Sequence, residues 1–146
     1  MDNSTRWFCV VDPELKSLDP TGHYLVYDRV VCEAAGNLGF RPIILARNTI
    51  SGLIGDIAAV PAFSLGIWEA DPSEFRHGQP CGFRAGYRFF RELRSAISRL
   101  GLGSDSIVFA QSVYRLQIFG WALFSLWSWA VRGPKTAILL RYQHEF

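Results

Sequence analysis

The chain is short of lysine, cysteine and charge, and each shortage removes a class of protein. Only Lys16 and Lys135 are lysines among fifteen cations, so thirteen are arginine, and the formal net charge is just +2. A total that small gives no electrostatic footprint for nucleic acid, and no nucleic-acid partner is expected. The three cysteines, Cys9, Cys32 and Cys81, are scattered and odd in number, and no CxxC pair exists. A disulfide framework is thereby excluded, and His77 four residues before Cys81 makes at most half a metal site. Cys9 in an apolar run and Cys32 on a helical pattern read as small core residues.

Other absences concern motifs. GxGxxG does not follow the first strand, and GxSxG, HExxH and a P-loop are all missing. "GLGSDS" (Gly101–Ser106) precedes a strand rather than a helix, the wrong context for cradling phosphate. No metal and no cofactor are therefore expected. The opening "MDNSTRWFCVVDPEL" has no signal-peptide pattern, so the Asn3-Ser4-Thr5 sequon carries no weight and a cytoplasmic location is expected. The longest apolar run, Ile118–Val131, is shorter than the roughly 20 residues a membrane span needs, because Arg115 and Gln117 intrude before it.

What is present is a globular composition, 49% hydrophobic and 14% aromatic over 146 residues, which suits a single domain. "WFCVV" (Trp7–Val11) reads as a buried strand closed by Asp12-Pro13. A helix from about Gly22 to Asn37 follows, with Leu25, Val26, Val30, Ala34 and Leu38 at helical spacing and Gly39 at its exit. "PIILA" (Pro42–Ala46) is a second buried strand. "ISGLIGDIAAV" suits a short helix, "VPAFS" (Val60–Ser64) a weak strand, and "DPSEFRHGQPCG" a loop. A helix from about Phe83 to Leu100, a strand at Asp105–Ser112, a helix at Val113–Val131 and a strand at Thr136–Tyr142 complete the order. Alternating apolar strands and helices predict an α/β, Rossmann-like three-layer sandwich with a mostly parallel sheet, one domain over residues 1–146.

Ligands of such sheets bind at the carboxyl ends of the strands. The residues there are Asp12, Arg47, Gln111 with Ser112, and Arg141 with Tyr142, Gln143 and His144. Polar strand ends are ordinary, but a guanidinium at a strand end suits phosphate or carboxylate, which singles out Arg47 and Arg141. Two helices have unusual faces. Arg84, Arg88, Arg91 and Arg99 share one face, a solvated surface or a site for an acidic partner such as anionic lipid. The 113–131 segment carries Trp121, Trp127 and Trp129, for a core helix first and a partner surface second.

The stretch "VVDPELKSLDPTGHYLVYDRVVCEAAGNLGFRPIILA" resembles the opening of bacterial GT-B glycosyltransferases. There a first strand ends in Asp-Pro, a Gly-His loop starts a long helix, and "A…LGF" leads into the second strand. "SIVFAQSV…LLRY" is similar to the closing strand–helix–strand of the same N-terminal domain. The resemblance implies the acceptor-binding half of a glycosyltransferase. Gly22 would allow close backbone approach, and His23 and His144 would be candidate catalytic groups. Asp12, Gly22, Arg47, Gln111 and Arg141 would bind substrate. The acceptor would be lipid-linked or a polysaccharide, with peripheral contact at the inner face of a membrane. No pair among the six glutamates has the eight-residue spacing common in the donor half. The nucleotide-sugar is therefore expected on a second domain or subunit, and the chain alone is expected to be inactive. A non-catalytic Rossmann-like binding domain is the alternative, and the missing fingerprint weakens an oxidoreductase.

Overall fold

A computed structural model describes residues 5–18 and 23–139. Six strands form one sheet: β1 (Trp7–Val11), β2 (Arg41–Arg47), β3 (Gly52–Ile54), β4 (Ile57–Phe63), β7 (Ile107–Ala110) and β8 (Lys135–Ile138). A two-residue pair, β5 (Phe75–Arg76) and β6 (Gln79–Pro80), forms a separate hairpin that follows a 3-10 turn at Pro72–Glu74. The large sheet has the order β3-β4-β2-β1-β7-β8 and is parallel except for β3, which pairs antiparallel with β4.

Among the described residues, three helices cover the sheet. Side chains of a strand alternate between faces, and β1 divides accordingly. Val10 turns to one side, where α1 (His23–Asn37) packs through Leu25 and Cys32 on Ile44, Ile57 and Ala59. Cys9 and Val11 turn to the other, where α2 (Gly82–Leu100) and α3 (Ile118–Ala130) supply Phe89, Leu93, Ile97, Trp121 and Phe124. The expected three-layer α/β sandwich is the fold.

The backbones of α2 and α3 touch where Gly86 meets Gly120. A Cβ on Gly86 would lie 2.9 Å from the Gly120 nitrogen, and one on Gly120 would run into the Gly86 carbonyl oxygen. Two glycines are what let these helices cross so closely. α2 ends at Gly101, whose φ of 64° is the left-handed conformation glycine adopts most readily.

Three expectations need correction. The segment expected to hold a short helix is the β3–β4 hairpin, closed by Gly55 at φ 61° and Asp56. "VPAFS" is a strand as expected, and it belongs to the seven-residue β4, between β3 and β2. α3 begins at Ile118, because residues 114–117 form a turn in which the Tyr114 carbonyl accepts from the N–H groups of Gln117 and Ile118. On α1, Val26 and Val30 are exposed and Leu38, beyond its end, is 73% exposed; the buried stripe is Leu25, Asp28, Cys32 and Ala35. Among the described residues no helix is long and apolar enough to cross a membrane.

Candidate functional site

From β1 the chain reaches β2 on one side through α1, and it later returns to the other side of β1 through α2 to lay down β7. The carboxyl ends of β1 and β7 therefore flank the topological switch point, where open α/β sheets form their crevice. Asp12 and Gln111 are the residues immediately after these two strands. Gln111 Nε2 donates to Asp12 Oδ2 at 3.2 Å, and both side chains are buried. Asp12 Oδ1 accepts from the Glu14 N–H at 2.9 Å, an Asx turn across Pro13 that fixes the carboxyl group.

Asp12 continues the β1 alternation onto the α1 face, and there it meets Asp28. Asp28 has no solvent exposure, and among the described residues no hydrogen-bond donor reaches either of its oxygens. Burial first, then the charge of Asp12 and the hydrogen bond between the two side chains, pushes the Asp28 carboxyl up to about 9. Burial also raises Asp12, although the donors it accepts from oppose the shift. Two carboxyl groups can hydrogen-bond to each other only if one keeps a proton. Asp12 also accepts from the Glu14 N–H and Gln111 Nε2, which favours its charged form, so the shared proton is favoured on Asp28.

A second cluster lies beside the first. Glu14 Oε1 accepts from the Ile67 N–H at 2.6 Å, tying the loop after β4 to the loop after β1. Gly66 makes this possible, since a Cβ there would collide with the Glu14 carboxylate. Arg47, at the end of β2, gives Nη2 to Glu69 at 2.7 Å, and Lys16 gives Nζ to the same carboxylate at 3.0 Å. Those two hydrogen bonds hold Glu69 far down, at about 2. Lys16 and Arg47 thus face Glu14 and Glu69, and the group carries no net charge. Arg47 Nη1 is buried and has no partner among the described residues, one spare donor at this edge. Between Ile67 and Glu69 stands Trp68, 57% exposed, with its ring centroid 3.9 Å from that of Tyr114 in the loop after β7.

Of the residues singled out from sequence, Asp12 and Gln111 are brought together, and Arg47 sits on the same edge but is committed to Glu69. His23 opens α1 and is placed by its backbone alone. Gly22, Arg141 and His144 lie outside the described residues. Asp28, Glu14, Glu69 and Trp68 were missed. Asp28 had one legible signal, a lone acid at the i+3 position from Leu25 and four before Cys32, with Arg29 and Glu33 on other faces. Among the described residues no three His, Cys, Asp or Glu side chains are grouped to hold a metal ion. Comparison with protein-family models, curated proteins and solved structures gives no match.

Proposed function

We propose that this domain binds a carbohydrate at the carboxyl edge of its sheet, as the acceptor half of a glycosyltransferase. The observation that carries the reading is the make-up of that edge. It is polar, charge-compensated and topped by an exposed tryptophan. A diphosphate needs uncompensated cations or free helix-start amides, whereas Lys16 and Arg47 are both spent on carboxylates. Neutral hydroxyls suit the remaining hydrogen-bonding capacity of Asp12, Gln111 and Arg47 Nη1, and a sugar ring suits the face of Trp68. Asp12 and Gln111 would orient the acceptor hydroxyl, a contribution of positioning rather than of leaving-group chemistry. Stabilisation of the departing diphosphate would fall to the donor half.

The outer surface supports a second domain or subunit. Phe83 and Ile118, at the starts of α2 and α3 and hence at the carboxyl edge, are both well exposed. Phe119 links them through an edge-to-face contact with Phe83 at 4.9 Å. Farther along α3, Trp121 is buried and Trp127 is packed against the core, but Trp129 is 79% exposed. An apolar rim beside a polar crevice is what a domain closing over that crevice would cover.

Calorimetric titration tests the reading. Neutral oligosaccharides should bind the isolated chain weakly, and Trp68→Ala should abolish that binding. Nucleotide-sugars and nucleoside diphosphates should not bind until a donor-binding chain is added, and transfer should appear only then. Tight donor binding by this chain alone would refute the acceptor-half assignment.

A further inference from the structure

The arginine face of α2 does not lie flat against solvent. It forms one wall of a groove of about 800 Å³, whose other wall is the end of β4 and the loops around Ser64 and Ser73. Four arginines line it, and they are not equivalent. Arg88 is neutralised twice, by Glu74 at 2.6 Å and by Glu92 at 3.2 Å. Arg84 donates to the Ser73 carbonyl oxygen at 2.8 Å and Arg99 to that of Pro61 at 3.3 Å. Those bonds orient the two guanidinium groups without cancelling their charge. Arg91 is exposed and has no ion pair among the described residues. The uncompensated cations are therefore Arg84, Arg91 and Arg99. They stand seven and eight residues apart, or about 10 and 12 Å along the axis at 1.5 Å per residue.

This lining selects among anions. Asp71, Glu74 and Glu92 also face the groove, so a densely charged polyphosphate would meet carboxylates between the guanidinium groups. A planar lipid surface does not enter a groove. An extended ligand with one carboxylate every second sugar ring, and hydroxyls between, matches both the spacing and the mixed lining. Tyr87 adds an exposed ring to the same wall. Because α2 starts at the carboxyl edge, a glycan seated at Trp68 has the start of this groove beside it.

We propose that the α2 groove is an extended subsite for an acidic oligosaccharide, each uncompensated arginine taking one carboxylate of the chain. The inference rests on the carbohydrate reading above and narrows its acceptor to a uronate-containing glycan.

The test is calorimetric binding of hyaluronan oligomers, which carry a carboxylate on every second ring, from disaccharide to hexasaccharide, against neutral glucose oligomers of equal length. Affinity for the uronates should rise with length and fall with added salt. The Arg91→Ala, Arg99→Ala double variant should weaken the hexamer about tenfold, from the worth of two partly exposed charge pairs. It should leave the neutral oligomers unchanged, and the corresponding Lys, Lys variant should recover part of the loss because charge is kept and the planar fork is not. Equal binding of the hexamer by the double Ala variant and the parent chain would overturn the proposal. So would tighter binding of a single-stranded oligonucleotide or of phosphatidylglycerol vesicles. Arginine-dependent uronate binding that is indifferent to Trp68→Ala, with no neutral binding at all, would uphold the groove and sink the carboxyl-edge reading.

Discussion

Replacing Asp28 by asparagine should stabilise the protein at neutral pH and remove a pH dependence that the parent chain carries. Asp28 is fully buried, its oxygens meet no donor among the described residues, and the titrating group that acts on it is the carboxyl group of Asp12. In the unfolded chain an aspartate ionises near 3.9, whereas in the fold Asp28 keeps its proton up to about 9. Between those values the folded state binds the extra proton, so stability falls as pH rises; below them the penalty is absent, and above about 9 it is complete. The slope cannot exceed about 1.4 kcal/mol per pH unit for one group, which sets a ceiling of about 4 kcal/mol at pH 7. Asparagine occupies the same volume, has no proton to lose, and offers Asp12 an N–H donor. It should therefore recover part of that ceiling, on the order of 1–3 kcal/mol.

The assay is urea unfolding of both proteins at several pH values from 5 to 9, compared as a difference. Taking the difference cancels every titration common to both chains. The gap in favour of Asp28→Asn should widen steadily with pH while the m-value stays constant. A gap that is constant across the range would refute the reasoning. So would an asparagine variant less stable at every pH, because Asp28 would then be an ionised group with a partner of its own.

Gly120→Ala should cost about 2–3 kcal/mol by thermal or urea unfolding, since the new methyl runs into the Gly86 carbonyl and the Phe89 ring, and α2 and α3 cannot separate without opening the core. Trp68→Ala should leave stability within about 0.5 kcal/mol, the usual range for a surface side chain, while removing binding of neutral sugars. Glu69 is held at about 2, so its stabilising contribution is complete above the normal glutamate value and is lost as pH falls toward 2. Because it is partly exposed, Glu69→Gln should cost no more than about 1 kcal/mol at pH 7 and only a small part of that at pH 2. A thiol reagent on the native protein should modify Cys81 first. Its thiol is lowered mainly by the Arg84 backbone N–H at the start of α2, whereas burial raises Cys9 and pushes Cys32 up to about 12.

The elements legible in the sequence were those whose fate is decided locally. β1, β2 and α2 have strong apolar periods and clear stops, Asp12-Pro13 for β1 and Gly101 for α2, and their bounds fall within a residue or two of expectation. The β3–β4 hairpin escaped because "ISGLIGDIAAV" is apolar enough for either state. What decides it is a turn at Gly55 with positive φ, together with pairing to β2, which is a contact with a distant segment. The α1 stripe was misjudged for a different reason. A window that scores only apolar residues picks Val26 and Val30, whereas the true stripe includes a carboxylic acid that is neutral in place. The Glu14–Ile67 and Arg47–Glu69 links span 53 and 22 residues, and no spacing rule reaches across such gaps.

The two candidate surfaces differ in how they handle charge, and that difference ties them into one scheme. At the carboxyl edge every ionised group among Lys16, Arg47, Glu14 and Glu69 is paired, and Asp28 is kept neutral beside Asp12. A crevice so balanced can orient a hydroxyl without attracting a phosphate that belongs elsewhere. Along α2 the balance is broken at regular intervals, with three guanidinium groups left uncompensated in a groove that starts beside that edge. On the proposed reading, attraction would be placed where a long acceptor is held, and neutrality where its reacting end is positioned. If Arg91→Ala, Arg99→Ala raised KM for a long acidic acceptor in the assembled enzyme and left kcat intact, while Asp12→Asn lowered kcat, this division of labour would hold. The reverse pattern would place the chemistry in the groove and leave the switch-point pair as a purely structural lock between β1 and α1.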